Sequence, residues 1–253
     1  MKKRIYRAIR KTYPQFGYKK SDIYISSYPK SGRNWVLFLL ANIFLQHSEV
    51  NKPVNFHNID DWISHDFPER PPEMKIKTPR IVAKHEKYKG QNTKTIYIMR
   101  NPIDVMSSYH NFLIKRKNKN IKSVHRLVRS ENHGIKAWSE HITSWEKEWN
   151  LYIKYEDLKK DARSELKKLL DIIGIERNTS EDKVKKALNK SSFESMRKVE
   201  NKWGLPKKDG KNPNFQFMKK GRTKNTREKL NSSDYEYIRN VAGKTASKYG
   251  YDL

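Results

Sequence analysis

The spacing of apolar and polar positions changes several times along the chain, and each change marks an element. DIYISS, residues 22–27, packs β-branched and aromatic residues closely and predicts a first strand. Pro29 and Gly32 punctuate the turn that follows. Asn34 to Gln46 stays mostly apolar over a helical length, which predicts a buried helix. PRIVAKH (79–85), TKTIYIMR (93–100) and LYIKYEDL (151–158) predict three more strands. Pro102 suits the first turn of a helix, with Asp104 close behind it. Ile135, Trp138, Ile142, Trp145 and Trp149 recur at alternating steps of three and four, the spacing of one helix face. A tryptophan stripe of this kind is core more often than a ligand box. Helices are also expected over 159–173, 181–189 and 234–248.

The connections are long. Residues 47–79, with Trp62 and FPERPPE, predict an excursion over the sheet edge. KRKNKNIKSVHR (115–126) has six Lys or Arg and no acid, as a loop or capping segment would. Residues 201–229 carry ten basic residues without a clear period, as expected of a loop that orders on binding an anion. No internal repeat is visible.

Length and composition narrow the classes. The 253 residues fit one large domain or two small ones. The formal charge of +27 attracts anions, such as polyphosphates, nucleic acid or acidic membranes. On charge alone, a solubility adaptation with no partner stands level with that reading. The absence of cysteine excludes disulfides and cysteine-ligated zinc. MKKRIYRAIRKTYPQF lacks the apolar core of a signal peptide, and its aromatic and basic positions do not segregate as on an interfacial helix. VLFLLANIFL (36–45) is too short to span a bilayer, so no membrane span and a cytoplasmic location are expected.

The chemistry gathers in SSYPKSGRNW, residues 26–35. Its lysine and glycine suggest a phosphate loop, but Lys30 precedes Ser31 and Gly32, the wrong order for a nucleotide triphosphatase. A strand, tight turn and buried helix still aim backbone amides and a helix N-terminus at one anion, with Lys30 adding a point charge. Taken alone, this is more often an ordinary βα turn. Arg100 ends an apolar strand, and Ser108 follows about two helical turns later. Both could meet a ligand at the carboxyl edge of a sheet.

Together these residues resemble the cytosolic type of sulfotransferase, which takes a sulfuryl group from 3′-phosphoadenosine 5′-phosphosulfate (PAPS) and releases 3′-phosphoadenosine 5′-phosphate (PAP). SYPKSGRNW is similar to the family's TYPKSGTTW loop for the 5′-phosphosulfate. YIMRNPIDVMSSYHNF resembles its 3′-phosphate segment, with Arg100 and Ser108 in matching places. AKHEK carries Lys84 and His85 where the family has a lysine–histidine pair. GIKAWSEHITSW, LYIKYEDL, SSFESM and FMKKG match four further motifs in order. The resemblance runs from about Ser26 to Ala246. It implies an α/β, P-loop-like three-layer fold with a central, mostly parallel sheet flanked by helices. A basic segment (1–20) would precede a single domain (21–253).

The resemblance also implies roles. Lys30, Ser31, Gly32, Arg33 and Asn34 would hold the 5′-phosphosulfate, and Lys30 would stabilise charge growing on the leaving oxygen. Arg100, Ser108, Lys219, Lys220 and Gly221 would hold the 3′-phosphate, and Ser108 would restrain Lys30 until the ligand is complete. Trp35 and Phe193 would flank the adenine, Ser191 and Tyr155 would contact it, and Met196 would line its pocket, with Phe217 and Met218 belonging to the same motif as Lys219. His85 would act as the general base; His141 reads as structural beside the tryptophan stripe. No metal is expected, since lysine, arginine and the helix dipole already supply positive charge.

Three departures stand out. Arg33 and Asn34 replace two threonines. KNTRE stands where the family has G-D-W-K-N, and Asn231–Ser232 stands where its dimer motif has Thr-Val. The family's dimer is therefore not carried over. A kinase would need its lysine after the second glycine and a carboxylate for magnesium. A nucleic-acid module would exploit the charge, yet no such motif is visible. The acceptor is expected to be a small hydroxylated molecule, with an anionic saccharide as the alternative.

Overall fold

The computed structural model describes residues 19–64, 75–90, 93–117, 121, 123–206, 212, 215–218 and 230–253. Four strands, β1 (Ile23–Ser27), β2 (Ile81–Lys84), β3 (Lys94–Met99) and β4 (Leu151–Lys154), form one sheet in the order β2-β1-β3-β4. All three pairings are parallel, in a register that sets Ile25 beside Ala83 and Ile96. β1 is buried along its whole length, as a central parallel strand covered on both faces must be.

Because side chains alternate across a strand, the two faces of the sheet differ in chemistry. Ile23, Ile25, Ile81, Ala83, Ile96, Ile98 and Ile153 make an aliphatic face. It packs on α1 (Arg33–Gln46), α7 (Ala162–Ile173), α8 (Glu181–Lys190) and α9 (Phe193–Trp203). Tyr24, Val82, Tyr97 and Met99 make an opposite, partly aromatic face. That face meets α3 (Pro102–Lys115), α4 (Val124–Val128), α5 (Ile135–Trp145) and α10 (Ser232–Lys248). Trp138 and Trp145 of α5 are fully buried there, so the tryptophan stripe is core. α1 is buried almost all round, consistent with its lack of a polar face.

Two expectations need correction. The strand predicted over 151–158 stops at Lys154, and residues 155–160 turn into the short helix α6 (Tyr155–Lys160). Glu156 and Asp157 fall in its first turn and Lys159 and Lys160 in its last, the charge order a helix dipole favours. The helix expected over 159–173 is accordingly two. Asp161 ends α6 and caps α7, accepting from the amides of Arg163 (3.1 Å) and Ser164 (3.0 Å). The excursion over 47–79 does reach the outer edge of β2. After α2 (Ile59–Trp62), Ser64 bridges to Val82, and the Ala83 amide donates to the Ser64 carbonyl at 2.8 Å.

The order β2-β1-β3 sends the chain to one side of β1 and then to the other. The carboxyl ends of these three strands therefore frame a topological switch point, where open α/β sheets receive ligands. Lys30 follows β1, His85 follows β2 and Arg100 follows β3.

Candidate active site

The turn from β1 into α1 is tightly constrained. Lys30 has φ 72° and Gly32 φ 96°, so two residues occupy the left-handed region within three positions. For a lysine that conformation costs roughly 1–2 kcal/mol, so its surroundings must hold it. Arg100 does so, Nη1 donating to the Lys30 carbonyl at 3.3 Å. Gly32 is required twice. Beyond its φ, a Cβ there would stand 2.3 Å from Cδ2 of Tyr155. Tyr155 reaches this position because β4 gives way to α6. Its ring lies under the Arg100 guanidinium, 4.4 Å from the centroid, and edge-on to Trp35 at 6.0 Å.

Around this turn the polar groups point to an anion. No side chain caps α1, so the N–H groups of its first turn face the loop. Ser31 Oγ and Arg100 Nε are buried without a hydrogen-bond partner among the described residues. Buried donors are normally satisfied, so such groups call for an explanation, and a bound oxyanion is one. Arg33 is buried at the first position of α1, with Asn34 beside it.

The Lys30 ammonium lies between two phenyl rings, 4.0 Å from the centroid of Phe217 and 4.7 Å from that of Phe112. Burial, and then the Arg100 charge, push its pKa down to about 7. No hydrogen bond joins it to Ser108, which sits half-buried on α3. The described neighbours of the ammonium are instead the two rings.

His85 is held differently. Its imidazole is exposed, and Nδ1 lies 2.7 Å from the Ser27 carbonyl oxygen and 3.2 Å from Ser27 Oγ. A carbonyl can only accept, so Nδ1 carries the proton and Nε2 of the neutral ring is left as a base. Lys84 precedes it on β2 and by strand alternation belongs to the opposite, aromatic face. It is buried, with Nζ 3.8 Å from the Glu86 carboxylate.

The residues expected around an adenine lie further along α1. Ser191 is wholly buried, its Oγ accepting from Asn42 Nδ2 at 3.2 Å. Phe193 is half-buried at the start of α9, and Met196 joins the aliphatic core. Phe217 and Met218 are pinned to α9, since the buried Glu200 carboxylate accepts from both amides, that of Met218 at 2.7 Å. Lys219, Lys220 and Gly221 lie outside the described residues. Sequence reasoning missed Glu200, although an acid four residues after Met196 occupies an apolar-stripe position. It also missed Ser27, whose role runs through a backbone carbonyl.

The fold is an open parallel α/β sheet whose carboxyl edge is lined with cations. A profile of the sulfotransferase domain matches residues 20–250, and the chain belongs to that family. Mouse (Mus musculus) Sulfotransferase 2A6 is 28% identical over 235 residues, covering 83% of this chain and 78% of its own. The amine sulfotransferase of Oryctolagus cuniculus is 27% identical over 199 residues, covering 72% and 65%. Among solved structures, mouse sulfotransferase SULT7A1 complexed with PAP aligns with a TM-score of 0.54 at 22% identity, over 88% of this chain and 82% of that one. Retinol dehydratase in complex with androsterone and inactive cofactor PAP aligns with a TM-score of 0.63 at 16% identity, over 93% and 82%. The chain is thus an enzyme of sulfuryl transfer with the sulfotransferase fold. Among the described residues, no helix is long and apolar enough to cross a membrane, and no cluster of His, Asp or Glu could hold a metal ion.

Proposed function

We propose that the protein transfers a sulfuryl group from PAPS to a hydroxyl or amine of a small acceptor, with His85 as base and Lys30 stabilising the leaving phosphate. The observation that carries the donor assignment is the turn at 30–34. There an uncapped helix N-terminus, a buried unpartnered serine hydroxyl and a buried arginine nitrogen converge beside a glycine that admits no side chain. Such a cradle suits the 5′-phosphosulfate, and Arg100 with Ser108 suits the 3′-phosphate. Both structural neighbours described above hold PAP, which is consistent with this donor.

When bound, PAPS supplies the sulfuryl group and a phosphate as leaving group. The Lys30 ammonium meets charge growing on the bridging oxygen, a contact stronger in the transition state than in the ground state. His85 Nε2 accepts the acceptor's proton as its oxygen or nitrogen attacks. Ser27 holds the opposite nitrogen as the donor, so the base keeps one tautomer. Phe112 and Phe217 supply apolar surface beside Lys30, with Phe215 packed on Phe112, which favours an aromatic or aliphatic acceptor. The +27 charge favours the second reading, an anionic saccharide.

Titration calorimetry in EDTA tests the donor. PAP should bind far more tightly than AMP, and equal affinities would remove the 3′-phosphate assignment. A pooled screen with labelled PAPS over phenols, alcohols, amines and glycans tests the acceptor. Product confined to polyanionic glycans, collapsing at 0.2 M salt, would select the saccharide instead.

A further inference from the structure

Helix α5 does more than fill the core. Three residues on one of its faces, His141, Ser144 and Trp145, each reach the segment that leaves β2. His141 Nε2 lies 3.2 Å from the His85 carbonyl oxygen. Trp145 Nε1 donates to the Glu86 carbonyl at 3.0 Å, and Ser144 Oγ accepts from the Tyr88 amide at 3.2 Å. The i, i+3, i+4 spacing puts all three on one helical strip, so a single rigid element grips residues 85, 86 and 88 by their backbone. The His85 side chain itself is exposed.

The His141 hydrogen bond has a direction. Its Nδ1 lies 2.7 Å from Tyr97 Oη. The His85 carbonyl can only accept, so Nε2 carries the proton and Nδ1 receives one from the Tyr97 hydroxyl. Burial pushes the His141 pKa down to about 4, so the ring stays neutral wherever the enzyme is folded near neutrality. Tyr97, fully buried in the middle of the sheet, holds its proton because burial drives its pKa well above the usual phenol value. The chain of donors is therefore one-way, from Tyr97 through His141 to the backbone of His85. It continues across the residue, since His85 Nδ1–H donates to Ser27.

We infer that His141, oriented by Tyr97, is a positioning residue that fixes the backbone of His85 so that its Nε2 faces the acceptor in one tautomer. This rests on the role proposed for His85, and goes beyond it in giving the α5 motif a part in the reaction. The same geometry explains why a histidine stands among tryptophans. A neutral ring with one donor and one acceptor on opposite sides links a core hydroxyl to a backbone carbonyl and packs against Tyr28 and Tyr97.

Two readouts test it, the first on the PAP-saturated enzyme and the second on enzyme freed of PAP. The first is the tautomer of His85, from long-range ¹H–¹⁵N NMR of the labelled protein. The second is sulfuryl transfer from PAPS to 2-naphthol. His141→Leu and Tyr97→Phe should convert His85 from a single Nδ1–H form to a mixture. They should also cut transfer by about ten- to hundred-fold, the scale of a misplaced catalytic group, with PAP affinity unchanged. His141→Gln keeps a donor and an acceptor and should restore both readouts in large part. Tyr97→Phe removes one oxygen from the core and serves if His141→Leu does not fold. A His85 that stays in the Nδ1–H form in both variants overturns the inference. His85→Ala in the same assay separates the two readings. If it retains transfer, the proposed base is wrong. If it abolishes transfer while His141→Leu does not slow it, only the positioning role fails.

Discussion

The turn after β1 and the segment after β2 leave the same edge of the sheet one strand apart, and each carries one of the two groups proposed to act on the sulfuryl group. The β1 turn is enclosed. Lys30 sits in a left-handed conformation between two phenyl rings, and Gly32 is pressed against Tyr155. The β2 segment is open. His85 is exposed, and what fixes it is a set of hydrogen bonds to Ser27 and, through its own carbonyl, to α5. Enclosure sets the protonation of Lys30 through desolvation and the Arg100 charge. Hydrogen-bond partners instead choose which nitrogen of His85 is left unprotonated. The lysine proposed to meet an anion is tuned by its environment. The histidine proposed to meet a diffusing acceptor is tuned by its partners and left accessible.

The largest expected effect breaks the pair apart. His85→Ala should lower turnover by about two to four orders of magnitude, the usual contribution of a general base, while PAP affinity stays near wild type. Lys30→Ala should lower both, because the ammonium is proposed to touch the donor in ground and transition states. Calorimetry with PAP and single-turnover transfer, run on both variants, check the pattern. Parallel losses of PAP affinity in the two variants would mean that the two segments do not divide the work in this way.

A smaller effect distinguishes the two regions by pH. Free Lys30 has a pKa of about 7, and a bound phosphate raises it. Above pH 7 binding must therefore take up a proton, and PAP affinity should fall as pH rises, by up to about tenfold per unit. Phosphate groups complete their second ionisation near pH 6 and add little slope there. The fall should survive in His85→Ala and flatten in Lys30→Met. A flat wild-type profile between pH 7 and 9 would show that Lys30 is already fully charged in the free enzyme.

How much of this the sequence disclosed follows the same division. Clustered β-branched and aromatic residues located all four strands, and a long apolar run and helical spacing located α1 and α5, because burial leaves a trace in the residues themselves, but α9 was not foreseen. The motif order brought Lys30, Gly32 and Arg100 to one place, and the structure indeed packs them together. Tyr155 was mistaken for strand, since aromatic residues suit both states and only the Glu156–Asp157 pair hinted at a helix start. The grip of Trp145 and Ser144 on residues 86 and 88 left no trace. It runs through backbone carbonyls and amides, which every residue possesses. Glu200 was hidden for a related reason: its partners are the amides of Phe217 and Met218, far along the chain.

The smallest effect probes the enclosure itself. Phe112 contributes one of the two rings on the Lys30 ammonium, from a helix that is otherwise anchored by Asn101, whose side chain accepts from the Ile103 amide at 3.0 Å. A cation over an aromatic face gains ~0.5–1 kcal/mol in a partly exposed setting. That attraction competes with the donor for the same ammonium. Phe112→Leu keeps the apolar volume nearly intact but removes the ring quadrupole, so PAP should bind about two- to five-fold more tightly, with the sign opposite to that of Lys30→Ala. A leucine at position 112 should leave the NMR tautomer of His85, which Ser27 holds, unchanged. If Phe112→Leu instead weakens PAP binding, the rings hold Lys30 in the position the donor requires. The enclosure of the β1 turn would then be part of the donor site and not a restraint upon it.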